Sequence, residues 1–264
     1  MQDIRARVES RIDYAPGLFS LFCGAPGLAR SVAPGRFAML GLENRSQPYL
    51  RRAFSVADAD RSLGRVEFLV KTVGIGTASL GGVAPGEEIE ILAPLGNAFT
   101  TSDLGRGDRV AIVAGGVGVA PFPLLLRELQ SRGVVADLYF GGRSAVDLAY
   151  RRKISNLVTG RELDSTDDGS AGKHGRVTDL LARELSSGAS YRRIYACGPT
   201  PMFRTLARLL EASPVPAEFS TEAPMGCGFG VCLACVLPRR KGGFLVSCKE
   251  GPILPPSAID WGRC

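Results

Sequence analysis

The chain carries a single histidine, a single tryptophan and no long apolar run. His174 lies in a loop with Gly172, Lys173 and Gly175, a solvated setting, so it reads as exposed and not catalytic. No hydrolytic triad can be drawn from this inventory. The most apolar stretch, Val110 to Leu126, is broken by glycines, Pro121 and Pro123. It falls short of the roughly 20 residues that cross a bilayer. The N-terminus, MQDIRARVESRIDY, alternates charged and apolar residues and has no signal-peptide core. Also missing is a basic run interleaved with aromatics: the net charge of +6 comes from arginines scattered among acids. Nucleic acid and membrane are therefore not expected as partners. A globular, cytoplasmic protein of two or three domains is expected, given 264 residues of ordinary composition.

Cysteine, by contrast, is plentiful. Seven are present, an odd number, and a reducing compartment argues against a disulfide framework. Four fall close together as Cys227-x4-Cys232-x2-Cys235-x12-Cys248. This is the plant-type spacing of a [2Fe–2S] cluster, in which a tight loop presents backbone N–H groups to sulfur. Gly226, Gly228 and Gly230 are expected to supply the unusual backbone angles of such a loop. Four thiolates can also hold structural zinc, but zinc sites usually pair two short C-x2-C knuckles and only one is present. Cys23 and Cys264 lie outside the pattern and receive no role.

Three segments follow in order. Residues 1–100 carry short alternating runs (IRARVESR, GRFAMLGL, RAFSVAD, RVEFLVKTV) parted by turn signals, which predicts an antiparallel barrel or sandwich. Residues 101–220 alternate strands (RVAIVAG, VVADLYFGG, RRIYACG) with helical patterns (FPLLLRELQSRG, VTDLLARELSSG, MFRTLARLLEA), which predicts a parallel α/β sheet. Residues 221–264 hold the cysteines. The fold class is thus β followed by α/β with a small C-terminal metal segment.

AGGVGVAP, 114–121, joins a predicted strand to a predicted helix. Gly116 and Gly118 match the first two positions of a dinucleotide fingerprint, although Pro121 stands where the third glycine belongs. The acid that usually closes the next strand and holds the ribose is replaced by Gly141, Gly142 and Arg143, with Asp137 inside the strand. Arg143 could meet a 2′-phosphate or stand on the surface, which leaves NADH and NADPH both open.

Taken alone, RAFS (52–55) and GIGT (74–77) are a strand start and a glycine turn. Together with AGGVGVAP and ACGPTPM (196–202), in this order, the chain resembles the ferredoxin–NADP reductase superfamily. The resemblance implies a flavin-binding barrel before a nicotinamide-nucleotide domain. It implies that Arg52, Ala53, Phe54 and Ser55 form the flavin motif, Arg52 pairing with pyrophosphate and Ala53 replacing the usual proline. It further implies Leu69, Val70 and Lys71 beside the flavin, Gly76 and Thr77 as phosphate donors, and Cys197, Gly198 and Pro199 near the nicotinamide. PLGNAF (94–99) resembles the segment that closes the barrel.

Nicotinamide gives up a hydride, a [2Fe–2S] cluster takes one electron at a time, and flavin does both. Phthalate dioxygenase-type reductases share these parts, but with a longer C-terminal module and a wider gap before the last cysteine. The x12 gap, EAPMGCGFGVCLACV and STDDGSAGKHGRVTDLL together resemble the electron-transfer subunit of class 1B dihydroorotate dehydrogenase. That resemblance implies FAD, a [2Fe–2S] cluster on Cys227, Cys232, Cys235 and Cys248, and NAD(H) as co-substrate, with NADP(H) still open. The implied partner is an FMN-containing catalytic subunit in a heterotetramer with two copies of each chain. Asp168, Gly169 and Ser170 are implied near the nucleotide, and Glu222 near the flavin or in solvent. Two other readings stand beside it: the small subunit of an NADPH:ferredoxin oxidoreductase or sulfide dehydrogenase, and a zinc-stabilised regulatory module.

Overall fold

Alternation along the first strand turns Ala6 and Val8 inward and Arg5, Arg7 and Glu9 to solvent, the pattern of a sheet wetted on one face. The computed structural model describes residues 1–42, 49–211 and 213–264. Seven strands build the first sheet: β1 (Gln2–Ala15), β2 (Leu18–Gly24), β3 (Phe37–Gly41), β4 (Arg52–Ser55), β5 (Asp58–Asp60), β6 (Arg65–Lys71) and β7 (Glu88–Leu95). They pair antiparallel in the order β4-β3-β7-β1-β2-β6-β5. The edge strands β4 and β5 are parted in sequence by Val56 and Ala57 alone, so the sheet curls until its edges approach. Two short helices, α1 (Pro26–Ser31) and α2 (Ile75–Gly81), interrupt a segment whose sequence reads as all β. Pro26 opens α1 at the position where a missing N–H costs nothing.

The second sheet begins with β8 (Arg109–Gly115), α3 (Phe122–Ser131) and β9 (Val135–Gly142), close to the periodicity of the sequence. Next come α4 (Arg151–Ile154), β10 (Glu162–Thr166), β11 (Lys173–His174), α5 (Val177–Ser186), β12 (Arg193–Cys197), α6 (Thr200–Glu211) and β13 (Ala217–Ser220). Ala212, the last residue of the predicted stretch MFRTLARLLEA, lies outside the described residues. With β16 (Ile253–Leu254) at its edge, the order is β11-β10-β9-β8-β12-β13-β16, parallel throughout except at that last member. The chain winds from β8 toward β10, then crosses to β12 and winds the other way. A crevice therefore opens at the C-terminal ends of β8 and β12, where open α/β sheets take ligands.

The cysteine segment adds the hairpin β14 (Val236–Pro238) and β15 (Phe244–Val246), the turn α7 (Ser247–Glu250), and β16 (Ile253–Leu254). It touches both sheets. β16 pairs antiparallel with β13, while Cys235 and Cys248 pack with Phe37, Met39, Leu92 and Leu95 of the barrel. Asn97 of PLGNAF clamps the junction: its Nδ2 donates to Ile253 O at 2.8 Å, and its Oδ1 accepts from Ile253 N–H at 2.9 Å.

A polar seam fixes barrel to nucleotide sheet. Arg127 of α3 forms a two-pronged pair with Asp58, Nε to Oδ1 at 2.8 Å and Nη2 to Oδ2 at 3.0 Å. Beside it the buried Glu67 accepts from Ser20 Oγ at 2.5 Å, from Tyr150 OH at 3.0 Å and from Lys153. A buried carboxylate satisfied this fully tolerates one docking geometry and penalises others. Among the described residues no helix is long and apolar enough to cross a membrane.

Candidate functional site

Two cavities meet where the sheets face each other. The first, about 780 Å³, is walled by β4, the end of β6, the start of α2 and residues 220–225. Arg52, Ala53, Phe54, Ser55, Leu69, Lys71, Gly76 and Thr77 all line it. Because side chains alternate along a strand, Val70 points the other way and lies wholly buried in the barrel core, leaving the wall to Leu69 and Lys71. Arg52 reaches across the start of α2 and donates to Leu50 O at 2.5 Å. A Cβ built on Gly76 would stand 2.8 Å from Arg52 Nε, so only glycine lets this arginine lie flat there. The Thr77 hydroxyl does not point a free donor into the cavity. It accepts from the N–H groups of Val73 and Gly74 at 2.8 and 3.1 Å and donates to Gly74 O at 3.0 Å, holding the helix start in shape.

The second cavity, about 560 Å³, lies over the crevice of the parallel sheet. Gly116, Gly118, Gly198 and Pro199 line it, beside Arg143, Asp147, Asp167 and Arg176. Gly118 is required by packing: a Cβ would fall 2.5 Å from Cys197 O, so the loop after β8 can press on the end of β12 only without one. Cys197 opens instead toward the first cavity, 3% exposed, and burial pushes its thiol well above its ordinary value. It is therefore a neutral thiol at the junction.

Two sequence candidates near this cavity serve elsewhere. Asp137 sits early in β9, away from the crevice and fully buried, paired with Arg109 Nη2 at 2.7 Å and Arg161 Nη2 at 3.3 Å. It holds the sheet's far end. Asp168 turns back on its own loop, accepting from Ser170 N–H at 2.9 Å and Ser170 Oγ at 2.6 Å. The acid that reaches the cavity is its neighbour Asp167. Nothing in the sequence separates the two, because the turn that splits them is formed by loop closure.

Lys71, Val73, Val117 and Glu222 line both cavities. Glu222 is open to the cleft by surface area, yet protein crowds around its carboxyl and raises it above the ordinary carboxylate range. His174 is exposed, as its loop composition implies.

The four cysteines approach as two pairs. Cys227 Sγ accepts from the N–H groups of Val231 and Cys232, both at 3.4 Å, and Cys235 Sγ accepts from Cys248 N–H at 3.4 Å. Burial opposes the Cys227 thiolate, but backbone donors outweigh it and hold its pKa down at about 6. Burial pushes Cys248 up to about 12. Side-chain contacts join Cys227 to Cys232 and Cys235 to Cys248, an arrangement that could give two thiolates to each of two irons. Gly228 and Gly230 have φ of +83° and +91°, as the loop demands; Gly226 does not, and Leu233 takes a left-handed φ of +57°. The inner pair, Cys235 and Cys248, is buried; Cys227 is half-buried and Cys232 exposed.

A curled antiparallel sheet before a parallel nucleotide sheet, with a joint cleft between them, defines an oxidoreductase of the ferredoxin-reductase type. Residues 112–208 match the oxidoreductase NAD-binding domain, and residues 222–260 match the iron-sulfur cluster binding domain of dihydroorotate dehydrogenase B. The chain is 32% identical over 94% of both lengths to the electron transfer subunit of dihydroorotate dehydrogenase B (NAD(+)) from Desulforamulus reducens. The subunit of the same description from Geobacillus thermodenitrificans is 34% identical, covering 94% of this chain and 95% of that one. Among solved structures, one described as an NADH-dependent reduced ferredoxin-NADP oxidoreductase superposes with a TM-score of 0.86 at 26% identity, covering 98% of this chain and 90% of the other. The ferredoxin reductase in carbazole 1,9a-dioxygenase shares the fold, with a TM-score of 0.70 at 22% identity over 83% of this chain and 68% of that one. The chain belongs to the family of dihydroorotate dehydrogenase B electron transfer subunits.

Proposed function

We propose that the chain carries electrons between a partner subunit that oxidises dihydroorotate and NAD+, in the cytoplasm, by way of FAD and a [2Fe–2S] cluster. Residues 1–100 form the FAD segment, 101–220 the nucleotide segment and 221–264 the cluster segment. One observation carries the reading: the three candidate sites are contiguous. The two cavities share the wall of Lys71, Val73, Val117 and Glu222, and Phe37 lines the first cavity while packing with Cys235 and Cys248.

Volume and chemistry fit the groups assigned. A cleft of about 780 Å³ with Arg52 and Lys71 on its wall suits a flavin dinucleotide. Arg52 would face the pyrophosphate, and Phe54, Ser55 and Leu69 the ring. Gly116 and Gly118 would let backbone approach the diphosphate of NAD(H), with Cys197, Gly198 and Pro199 at its nicotinamide end. Cys227, Cys232, Cys235 and Cys248 would ligate the cluster. Bound flavin converts a hydride into single electrons; the chain's own task is to hold the carriers in line and keep water from the junction. Phe229, Val231 and Leu233, at 45, 71 and 57% exposure, surround the outer cysteine pair and support docking of an FMN-containing catalytic subunit there, in a heterotetramer with two copies of each chain.

The test is NADH formation from dihydroorotate and NAD+ by the complex purified natively through this chain. Activity lost when the partner is stripped away establishes the reading. A coloured complex reducible by NADH but inactive with dihydroorotate supports a second reading, a ferredoxin-linked oxidoreductase subunit, which the TM-score of 0.86 to the ferredoxin-NADP oxidoreductase structure favours.

A further inference from the structure

The order β10-β9-β8-β12 gives the nucleotide cavity a direction. The diphosphate belongs over the glycine loop after β8, and the nicotinamide over the end of β12, toward the barrel. That leaves the ends of β9 and β10 for the adenosine half. There β9 ends in Gly142, with Arg143 next, and lacks the acid that usually holds a ribose diol. The neighbouring strand supplies one. Asp167 follows β10 directly, and its N–H donates to Gly142 O at 3.0 Å, so its side chain projects from the cavity wall beside Arg143.

Asp167, Arg143 and Arg176 all line the cavity, all are exposed, and no side-chain charge of theirs has a partner among the described residues. Asp147, the other acid on this part of the wall, is already held by Lys71 Nζ at 2.6 Å and by Arg143 N–H at 3.0 Å. A further sign of a ligand lies one turn away: Thr178 lines the same cavity, is 3% exposed, and its Oγ1 has no hydrogen-bond partner.

We infer that Asp167 determines the choice of nucleotide, accepting from the ribose hydroxyls of NAD(H) and repelling the 2′-phosphate of NADP(H). The inference rests on the proposed reading of this cavity as the nicotinamide-nucleotide site. A 2′-phosphate brings close to two negative charges, and Arg143 and Arg176 alone would welcome it. A carboxylate on the same wall opposes that preference by setting an anion against an anion, while the diol gains an acceptor.

The test uses ligands that lack nicotinamide and so report on this end alone. ADP-ribose and 2′-phospho-ADP-ribose are titrated into the full chain by calorimetry, for wild type, Asp167→Asn and Asp167→Glu. Wild type and Asp167→Glu prefer ADP-ribose, and Asp167→Asn shifts the ratio of dissociation constants by about tenfold toward the phosphorylated ligand. The kcat/KM ratio for NADH over NADPH, with ferricyanide as acceptor, falls in parallel. A ratio unchanged in Asp167→Asn overturns the role of Asp167 while leaving the cavity a nucleotide site, as does a wild type that prefers the phosphorylated ligand. Failure of both ligands to bind any variant overturns the nucleotide reading itself, and this inference with it.

Discussion

Lys71 Nζ stands 2.6 Å from Asp147 Oδ1, so the last residue of β6 in the barrel is tied to the loop after β9 in the nucleotide sheet. The pair bridges the barrel and the nucleotide sheet beside the cleft that Lys71 shares between the two cavities. Burial raises the Asp147 carboxyl, but Lys71 and the N–H groups of Arg143 and Ser144 lower it by more, leaving it below the ordinary value. A depressed carboxyl stabilises the fold above about pH 4, and the contribution fades as pH falls through the folded value. Lys71 remains 33% exposed and water screens the pair from that side, so Asp147→Asn is expected to cost about 1 kcal/mol at neutral pH. It should also flatten the acid limb of a denaturation-versus-pH curve and slow hydride transfer from NADH in stopped flow. An acid limb identical to wild type would show that the bridge does not form.

Flavin retention tests the wall of the first cavity. Arg52→Ala removes the charge, and Gly76→Ala displaces it, because the new methyl would meet Arg52 Nε at 2.8 Å. Both variants are expected to lose flavin on dialysis while circular dichroism stays that of the wild type. Retention of stoichiometric flavin by both would remove Arg52 from the pyrophosphate site.

The cysteine pairs predict a graded outcome. Cys232 is exposed, so Cys232→Ser should fold normally, keep flavin and lose cluster iron. Cys235→Ser should lose iron as well and also lower the melting temperature, because its sulfur is buried among Phe37, Met39, Leu92 and Leu95. Wild-type iron content in Cys232→Ser would falsify the ligand assignment.

Glu222 gives a pH signature of opposite sign to Asp147. Its carboxyl is raised by burial, so the native state keeps a proton that the unfolded chain has already released. Stability contributed by this group is therefore lost as pH rises from about 4.3 through its folded value. Glu222→Gln should abolish that slope in the denaturant midpoint. An unchanged slope would assign it to another group.

Leu233 holds φ at +57° with 57% of its surface exposed. Leu233→Gly should relieve about 1 kcal/mol of backbone strain and weaken subunit docking at the same time. A melting temperature that falls in the isolated chain would contradict the strain.

Legibility in the sequence varied with the kind of signal. Strands β8, β9 and β12 declared themselves because buried parallel strands are continuous apolar runs bounded by glycine. β10, ELDST, and β13, AEFS, were hidden because short half-polar strands have neither period nor run. The helices α1 and α2 were masked by their Pro and Gly content, which reads as turn. Arg52 and Gly76 came into view only through the family resemblance, whereas Gly118 and the cysteines were picked out by motif and spacing; the first three line the cavities. Asn97, Asp147 and Asp167 could not be picked out in this way, since each acquires its position through a tertiary contact that no local pattern encodes.

The sharing of Phe37 has a mechanical consequence. Cys235 and Cys248 make their buried contacts with β3 and β7, strands of the same barrel whose wall forms the first cavity. The proposed cluster and flavin sites therefore share one sheet, and the distance that single electrons would cross between them is set by the pairing of β3 with β4 and β7 inside the barrel.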